Sequence, residues 1–160
     1  MATEAELLPA QIDRIAGVVE GMAQKLESFL SATLPEIGRS EVSAAYVAQT
    51  LDNTYTALET LFLRISQHFE NALADERWHA DLLDKMTLHI DGVREPVIAD
   101  ETQRLLHELR RFRHFKRYYY EMDYDWARLD YLCDVYRRVM PLVRRDLDRF
   151  RGFLQRTLEC

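Results

Sequence analysis

The chain has 160 residues, 48% of them hydrophobic and 30% charged, with a formal net charge of -6 at pH 7. That balance suits one globular domain spanning residues 1–160 and excludes a disordered chain. Its apolar runs fall well short of the roughly 20 residues that cross a membrane. Cys133 and Cys160 are the two cysteines, and their spacing gives neither a disulfide framework nor a thiolate metal site. The start MATEAELLPAQ is acidic and lacks the apolar core of a signal peptide, so a cytoplasmic location is expected. With five Gly and four Pro, little material exists for the turns of a many-stranded sheet, which favours helices.

Helical periodicity runs almost throughout. Leu7, Leu8, Ile12, Ile15, Val18, Val19, Met22, Leu26, Phe29 and Leu30 mark the apolar face of a first helix. Pro35 and Gly38 predict its end near Leu34. Ser40 reads as the N-cap of a long second helix reaching about Asn71, with Ala44, Val47, Leu51, Tyr55, Leu58, Phe62, Ile65 and Phe69 turned inward. A short helix is expected around Arg77 to Met86, then an irregular connection, HIDGVREPVIA, from His89 to Ala99. Asp100 is the expected N-cap of a third long helix, broken near Met122 to Asp125. Asp123 or Asp125 then caps a last helix reaching about Leu158, with Pro141 expected to kink it. The expectation is an all-α, up-and-down bundle of four long helices plus one short helix.

The segment RLLHELRRFRHFKRYYY, from Arg104 to Tyr120, departs from the acidic background. It carries six cationic side chains, two histidines and three consecutive tyrosines in seventeen residues. On a helix, His107, Arg110, Arg111, His114, Arg117 and Tyr118 share a broad face, while Leu105, Leu109, Phe112 and Tyr119 are spaced to bury the other side. Like charges so placed repel by roughly a few tenths of a kcal/mol per pair. Bundle stability does not ask for such crowding, so a phosphate-bearing partner fits, with Arg forks for phosphate oxygens and ring faces for bases. A solvated face neutralised by acidic surroundings is the alternative.

Other candidates carry less. Glu76 and His79 make one Glu-x-x-His pair, the unit that di-iron bundles use twice, and the chain has no second copy. No metal site and no cofactor are expected. The arginines of the last helix alternate with Asp146 and Asp148, which points to ion pairing on a wet face. Asp52, Tyr55 and Glu59 recur at steps of three and four on the second helix. Asp52 could face the basic helix and orient an arginine, or be an ordinary boundary residue.

From about Trp78 to Phe153 the chain resembles HepT-like ribonuclease toxins of the HEPN superfamily, most clearly in ELRRFRHFKRYYYEMDYDWARL and in the upstream DGVREPVIADETQRLLHELRRFRH. The family pattern Arg-x4-His-x-Tyr falls on Arg113, Tyr118 and Tyr120, so a tyrosine stands at the histidine position. The resemblance implies an RNA-targeting endoribonuclease that needs no metal, acting as a homodimer whose motif helices face a shared cleft. It implies Arg113 as electrostatic clamp, with Tyr118 or the neighbouring His114 in unconventional catalytic roles. Arg110, Lys116 and Arg117 would bind RNA. It further implies a minimal nucleotidyltransferase (MNT-type) antitoxin that transfers AMP to the motif tyrosine, here Tyr120. The missing histidine leaves a second reading open, a HEPN-type module that binds RNA, nucleotide or nucleotidyltransferase without cleaving RNA. A helical adaptor with an incidental basic face is the third.

Overall fold

The computed structural model describes residues 1, 4–70, 78–118 and 123–159. A first helix, α1, covers Glu4–Ser28 and continues through a π turn at Phe29–Thr33 into Leu34–Ile37. α2 spans Glu41–Glu70, α3 Trp78–Lys85, α4 Asp100–Tyr118 and α5 Trp126–Leu158. The expected all-α bundle of four long helices and one short one is the observed architecture.

α1 runs past the stop expected near Leu34. Pro35 has no N–H to return to the preceding turn, and the chain accommodates it with a wider turn in which the Leu34 N–H donates to the Phe29 carbonyl. The helix ends at Gly38, whose φ of 79° is a left-handed value that suits glycine. Ser40 then opens α2 as expected. Its Oγ accepts from the Ser43 N–H at 3.2 Å and its own N–H donates to Ser43 Oγ at 2.8 Å, a reciprocal cap.

Contacts between neighbouring helices run in opposite chain directions, so the bundle is up-and-down. Between α1 and α2, Met22 meets Thr54 and Phe29 meets Tyr46. Between α1 and α5, Asp13 pairs with Arg151, Glu20 with Arg144 and Glu27 with Arg137. Each step of seven along α1 is matched by seven back along α5. Arg137, Arg144 and Arg151 thus pair with α1, while Arg145 and Arg149 pair with Asp146 within α5, as the interleaving suggested. Between them the helices bury a continuous core, including Ile12, Leu26, Leu51, Leu58, Phe62, Leu106, Phe112, Val139 and Phe150. Leu7 and Val18, expected on the apolar face of α1, are exposed, and so is Tyr131 on α5 at 54%. Tyr136 and Cys133 occupy the buried positions of that turn of α5. α5 continues through Pro141, and Asp125 caps its start by accepting from the Ala127 N–H at 3.0 Å.

The connection from α3 to α4 is irregular, as its sequence suggests, and it is tied down from within. The fully buried Arg94 guanidinium donates to Glu70 Oε1 at 2.8 and 2.5 Å and to the carbonyls of Lys85, Leu88 and Glu95. All of its nitrogens find acceptors. The Val97 and Ile98 N–H groups both donate to the Met86 carbonyl. This fixed connection sets where α4 begins.

Candidate nucleic-acid interface

Asp100 is the first residue of α4 and not its cap. The Ala99 carbonyl accepts the first helical bond from Gln103 N–H. The capping carboxylate comes from α5. Oδ2 of the fully buried Asp146 accepts from the Ala99 N–H at 3.0 Å and from Thr102 Oγ1 at 2.5 Å, while Arg145 holds Oδ1 at 3.1 Å. A negative charge thus sits at the positive end of the helix that bears the basic run.

The inward row of α4 is Thr102, Leu106, Leu109, Phe112 and Arg113. Leu109 and Phe112 are buried as expected, whereas Leu106 occupies the core and Leu105 is only half-buried; Tyr119 lies outside the described residues. Arg113 belongs to the buried side because the spacing 102, 106, 109, 113 stays on one stripe.

Arg113 is met there by α2. Its Nη2 lies 2.9 Å from both carboxylate oxygens of Glu59, and both side chains are over nine-tenths buried. Nη1 donates to Thr56 Oγ1 at 3.3 Å, and the guanidinium lies over the Tyr55 ring, 5.0 Å from its centroid. Burial pushes the Tyr55 phenol far above its ordinary value, and Glu59 adds to that rise while Arg113 and Arg110 oppose it. One turn on, Lys116 Nζ donates to Asp52 Oδ2 at 3.1 Å and to Gln49 Oε1 at 2.9 Å. The stripe Asp52, Tyr55, Glu59 therefore does face the basic helix. Gln49 and Thr56 belong to it as well, and the steps of three and four through 49, 52, 56 and 59 carry that signal.

The other cations point outward. Arg104, Arg111 and Arg117 are exposed, and Arg110 is half-buried. Arg111 is paired with Glu108 at 2.8 Å, whereas Arg104 and Arg117 have no partner among the described residues. His114 is exposed, about 100° round the axis from Arg113, so the structure does not bring the two together. The backbone of Tyr118 ends α4; its side chain, and Tyr120 entirely, lie outside the described part.

His107 joins α4 to α3. Its Nε2 lies 3.0 Å from Asp84 Oδ1, which also accepts from Gln103 Nε2 at 2.6 Å, and Arg110 Nε donates to His107 Nδ1 at 3.3 Å. The sequence placed His107 on the cationic face but gave no reason to pair it with Asp84, which lies across a turn-rich connection.

Among the described residues no group of His, Cys, Asp and Glu is arranged to hold a metal ion. Glu76, half of the single Glu-x-x-His pair, lies outside them, as does the side chain of His79. No helix among the described residues is long and apolar enough to cross a membrane.

Comparison with curated proteins and with solved structures returned no match. A family model described as HepT-like protein matches residues 46–154. The matched part begins within α2, ends within α5, and contains both sides of the Glu59–Arg113 contact together with all of α4. The match covers more than half of the chain, and its sequence carries the helices on which the basic face is built: the protein belongs to the HepT-like family of the HEPN superfamily.

Proposed function

We propose that this HepT-like protein is the toxin component of a toxin–antitoxin pair and acts on cellular RNA as an endoribonuclease that requires no metal. One observation carries the reading: the family-matched segment presents a helix whose outer cations, Arg104, Arg110 and Arg117, are left largely free of protein carboxylates in an otherwise acidic chain. Such a row suits a polyanionic backbone. Arg117 and Arg110 would hold RNA phosphates, and Lys116 would join them by leaving Asp52.

In the cleavage step the 2'-oxygen of a ribose attacks the adjacent phosphorus. Its proton passes to a base, the O2'–P bond forms, the P–O5' bond breaks and the 5'-oxygen takes a proton. Arg113 stabilises the charge that develops on the phosphoryl oxygens, turning from Glu59 to reach them. Tyr118 occupies the place of the family's histidine, and a phenol with an ordinary pKa of about 10 serves there better as a proton donor than as a base. His114 is an exposed imidazole one turn away. The working unit is a homodimer, and the partner is a minimal nucleotidyltransferase that modifies Tyr120 with AMP, adding a negative charge next to the cationic face.

The buried Arg113–Glu59 pair and the tyrosine at the histidine position favour a second reading. In it the protein binds RNA, a nucleotide or the nucleotidyltransferase without cleaving RNA.

Incubation of the purified protein with total cellular RNA, without added metal, separates the two. Arg113→Ala removes the arginine from a buried Glu59, so the double variant Glu59→Leu with Arg113→Met supplies a folded control. Cleavage that disappears in both variants supports the ribonuclease reading, and cleavage that survives in the double variant overturns the role of Arg113. If neither wild type nor Tyr118→His cleaves while both bind RNA, the binding reading replaces it.

A further inference from the structure

The stretch of α4 from Arg104 to Arg111 holds a set of side chains that the motif does not use. A groove of about 470 Å³ is lined by Arg104, His107, Glu108, Arg110 and Arg111. Glu108 is spent on Arg111 at 2.8 Å, so Arg104 and Arg110 are the cations of the groove that no carboxylate among the described residues neutralises. Behind them runs the chain of contacts from Gln103 and Asp84 through His107 to Arg110.

That chain fixes more than the joint between α3 and α4. Nδ1 of His107 accepts from Arg110 Nε at 3.3 Å, and in the tautomer that this contact requires Nε2 donates to Asp84. Arg110 is therefore held by its Nε, with the ring as acceptor and the carboxylate behind it. Its two terminal nitrogens have no protein acceptor among the described residues. A guanidinium fixed at Nε and free at both Nη atoms is prepared for a bidentate contact with two oxygens of one phosphate, and its ordering has already been met by the fold.

We propose that Arg104 and Arg110 form a phosphodiester site for single-stranded RNA, separate from the Arg113 contact, with Asp84 and His107 as positioning residues that aim Arg110. The site lies on the same helix as Arg113, about one to two and a half turns toward its start, so a strand held there extends along α4 toward Arg117. It rests on the RNA-binding part of the function proposed above and not on whether RNA is cleaved. A joint that serves only to clip α3 onto α4 would need neither the free guanidinium fork nor the second, unpaired arginine in the groove.

The test is binding of a short single-stranded RNA to the full chain at several salt concentrations, together with the side-chain Nε–H resonance of Arg110. We expect Arg110→Gln and Arg104→Gln each to weaken binding about five-fold at low salt and to reduce the salt slope by about 0.7. His107→Leu should lose as much as Arg110→Gln and add nothing to it in the double variant. His107→Gln, which can still donate to Asp84 and accept from Arg110, should stay within about two-fold of wild type. Arg138→Gln on α5, an exposed arginine without an ion pair among the described residues, is the control and should change nothing.

RNA should shift the Arg110 resonance, while inorganic phosphate at the same concentration should not. A shift produced equally by inorganic phosphate would assign the groove to a small free anion and overturn the RNA site. Equal affinity of wild type and Arg110→Gln would overturn it as well. Binding through Arg110 without any cleavage leaves this site standing and removes the ribonuclease reading; cleavage lost with Arg113 but indifferent to Arg110 does the reverse.

Discussion

Nη2 of Arg113 stands 2.9 Å from each carboxylate oxygen of Glu59, between side chains that are 6% and 7% exposed. The pair is more buried than the neighbouring Lys116–Asp52 pair between α2 and α4, and it governs what the motif arginine can do. A phosphate that reaches Arg113 must compete with a carboxylate already in place, one shielded from water and therefore strong. The outer cations face no such competitor. The division of labour that follows is an outer row that captures the strand and an inner arginine available only when α2 releases it.

Removing Glu59 alone leaves a guanidinium without its counter-charge in a dry site. Glu59→Ala should cost about 3–5 kcal/mol of stability, which in a domain of this size lowers the melting temperature by roughly 10 °C. Replacing both partners, with Glu59→Leu and Arg113→Met, should recover most of that loss, because two apolar side chains of similar volume carry no desolvation penalty. Thermal unfolding of the two variants checks this. A double variant as unstable as the single one would show that the pair is stabilising in its own right.

The capping of α4 from α5 makes a second outcome specific. Asp146→Ala removes the acceptor of both the Ala99 N–H and the Thr102 hydroxyl, at a position with no access to water. Bonds to a charged acceptor contribute about 1.5–3 kcal/mol each, so a loss of about 3 kcal/mol is expected, with Asp146→Asn intermediate. Hydrogen exchange should quicken selectively in the first turn of α4 and leave the α1–α2 contact protected. Uniform loss of protection would mean that Asp146 supports the whole core and not that helix end.

Much of the bundle was legible because its signals are local. Ser40, Gly38 and Asp125 mark helix ends by their own chemistry, and the apolar face of α2 from Ala44 to Ile65 is buried as its period indicates. The first helix overran its expected stop because a π turn, which no local propensity announces, absorbs Pro35. Asp100 looked like a cap, but the carboxylate that serves as one, Asp146, is 44 residues from its partner Thr102. The same distance problem hid the α1–α5 ladder, although Asp13, Glu20 and Glu27 and then Arg137, Arg144 and Arg151 each repeat at seven residues. At the site, the basic run was plain and the burial of Arg113 was not. A charged residue on the core stripe reads as surface until the carboxylate opposite it is known.

The protonation of three buried groups sets the alkaline limit of the fold. Burial raises the Tyr55 phenol, and Glu59 raises it further; burial also raises the Tyr136 phenol, partly offset by its hydrogen bond with Thr54 Oγ1 at 3.1 Å. Burial pushes the Cys133 thiol up to about 11. For each group the folded value lies above the unfolded one, so its contribution is complete at neutral pH. It is lost as pH rises past the unfolded values, about 8.5 for a thiol and about 10 for a phenol. The unfolded chain then releases protons that the folded chain retains, and stability falls by about 1.4 kcal/mol per pH unit for each such group. Melting temperature should therefore be level through neutral pH and drop steeply above about pH 10. Tyr55→Phe keeps the ring beneath Arg113 and should make that drop shallower by the share of one proton, with little change in the neutral region. An unchanged slope in that variant would mean that the Tyr55 hydroxyl reaches water in solution, and that the seam between α2 and α4 opens more readily than its ion pair implies.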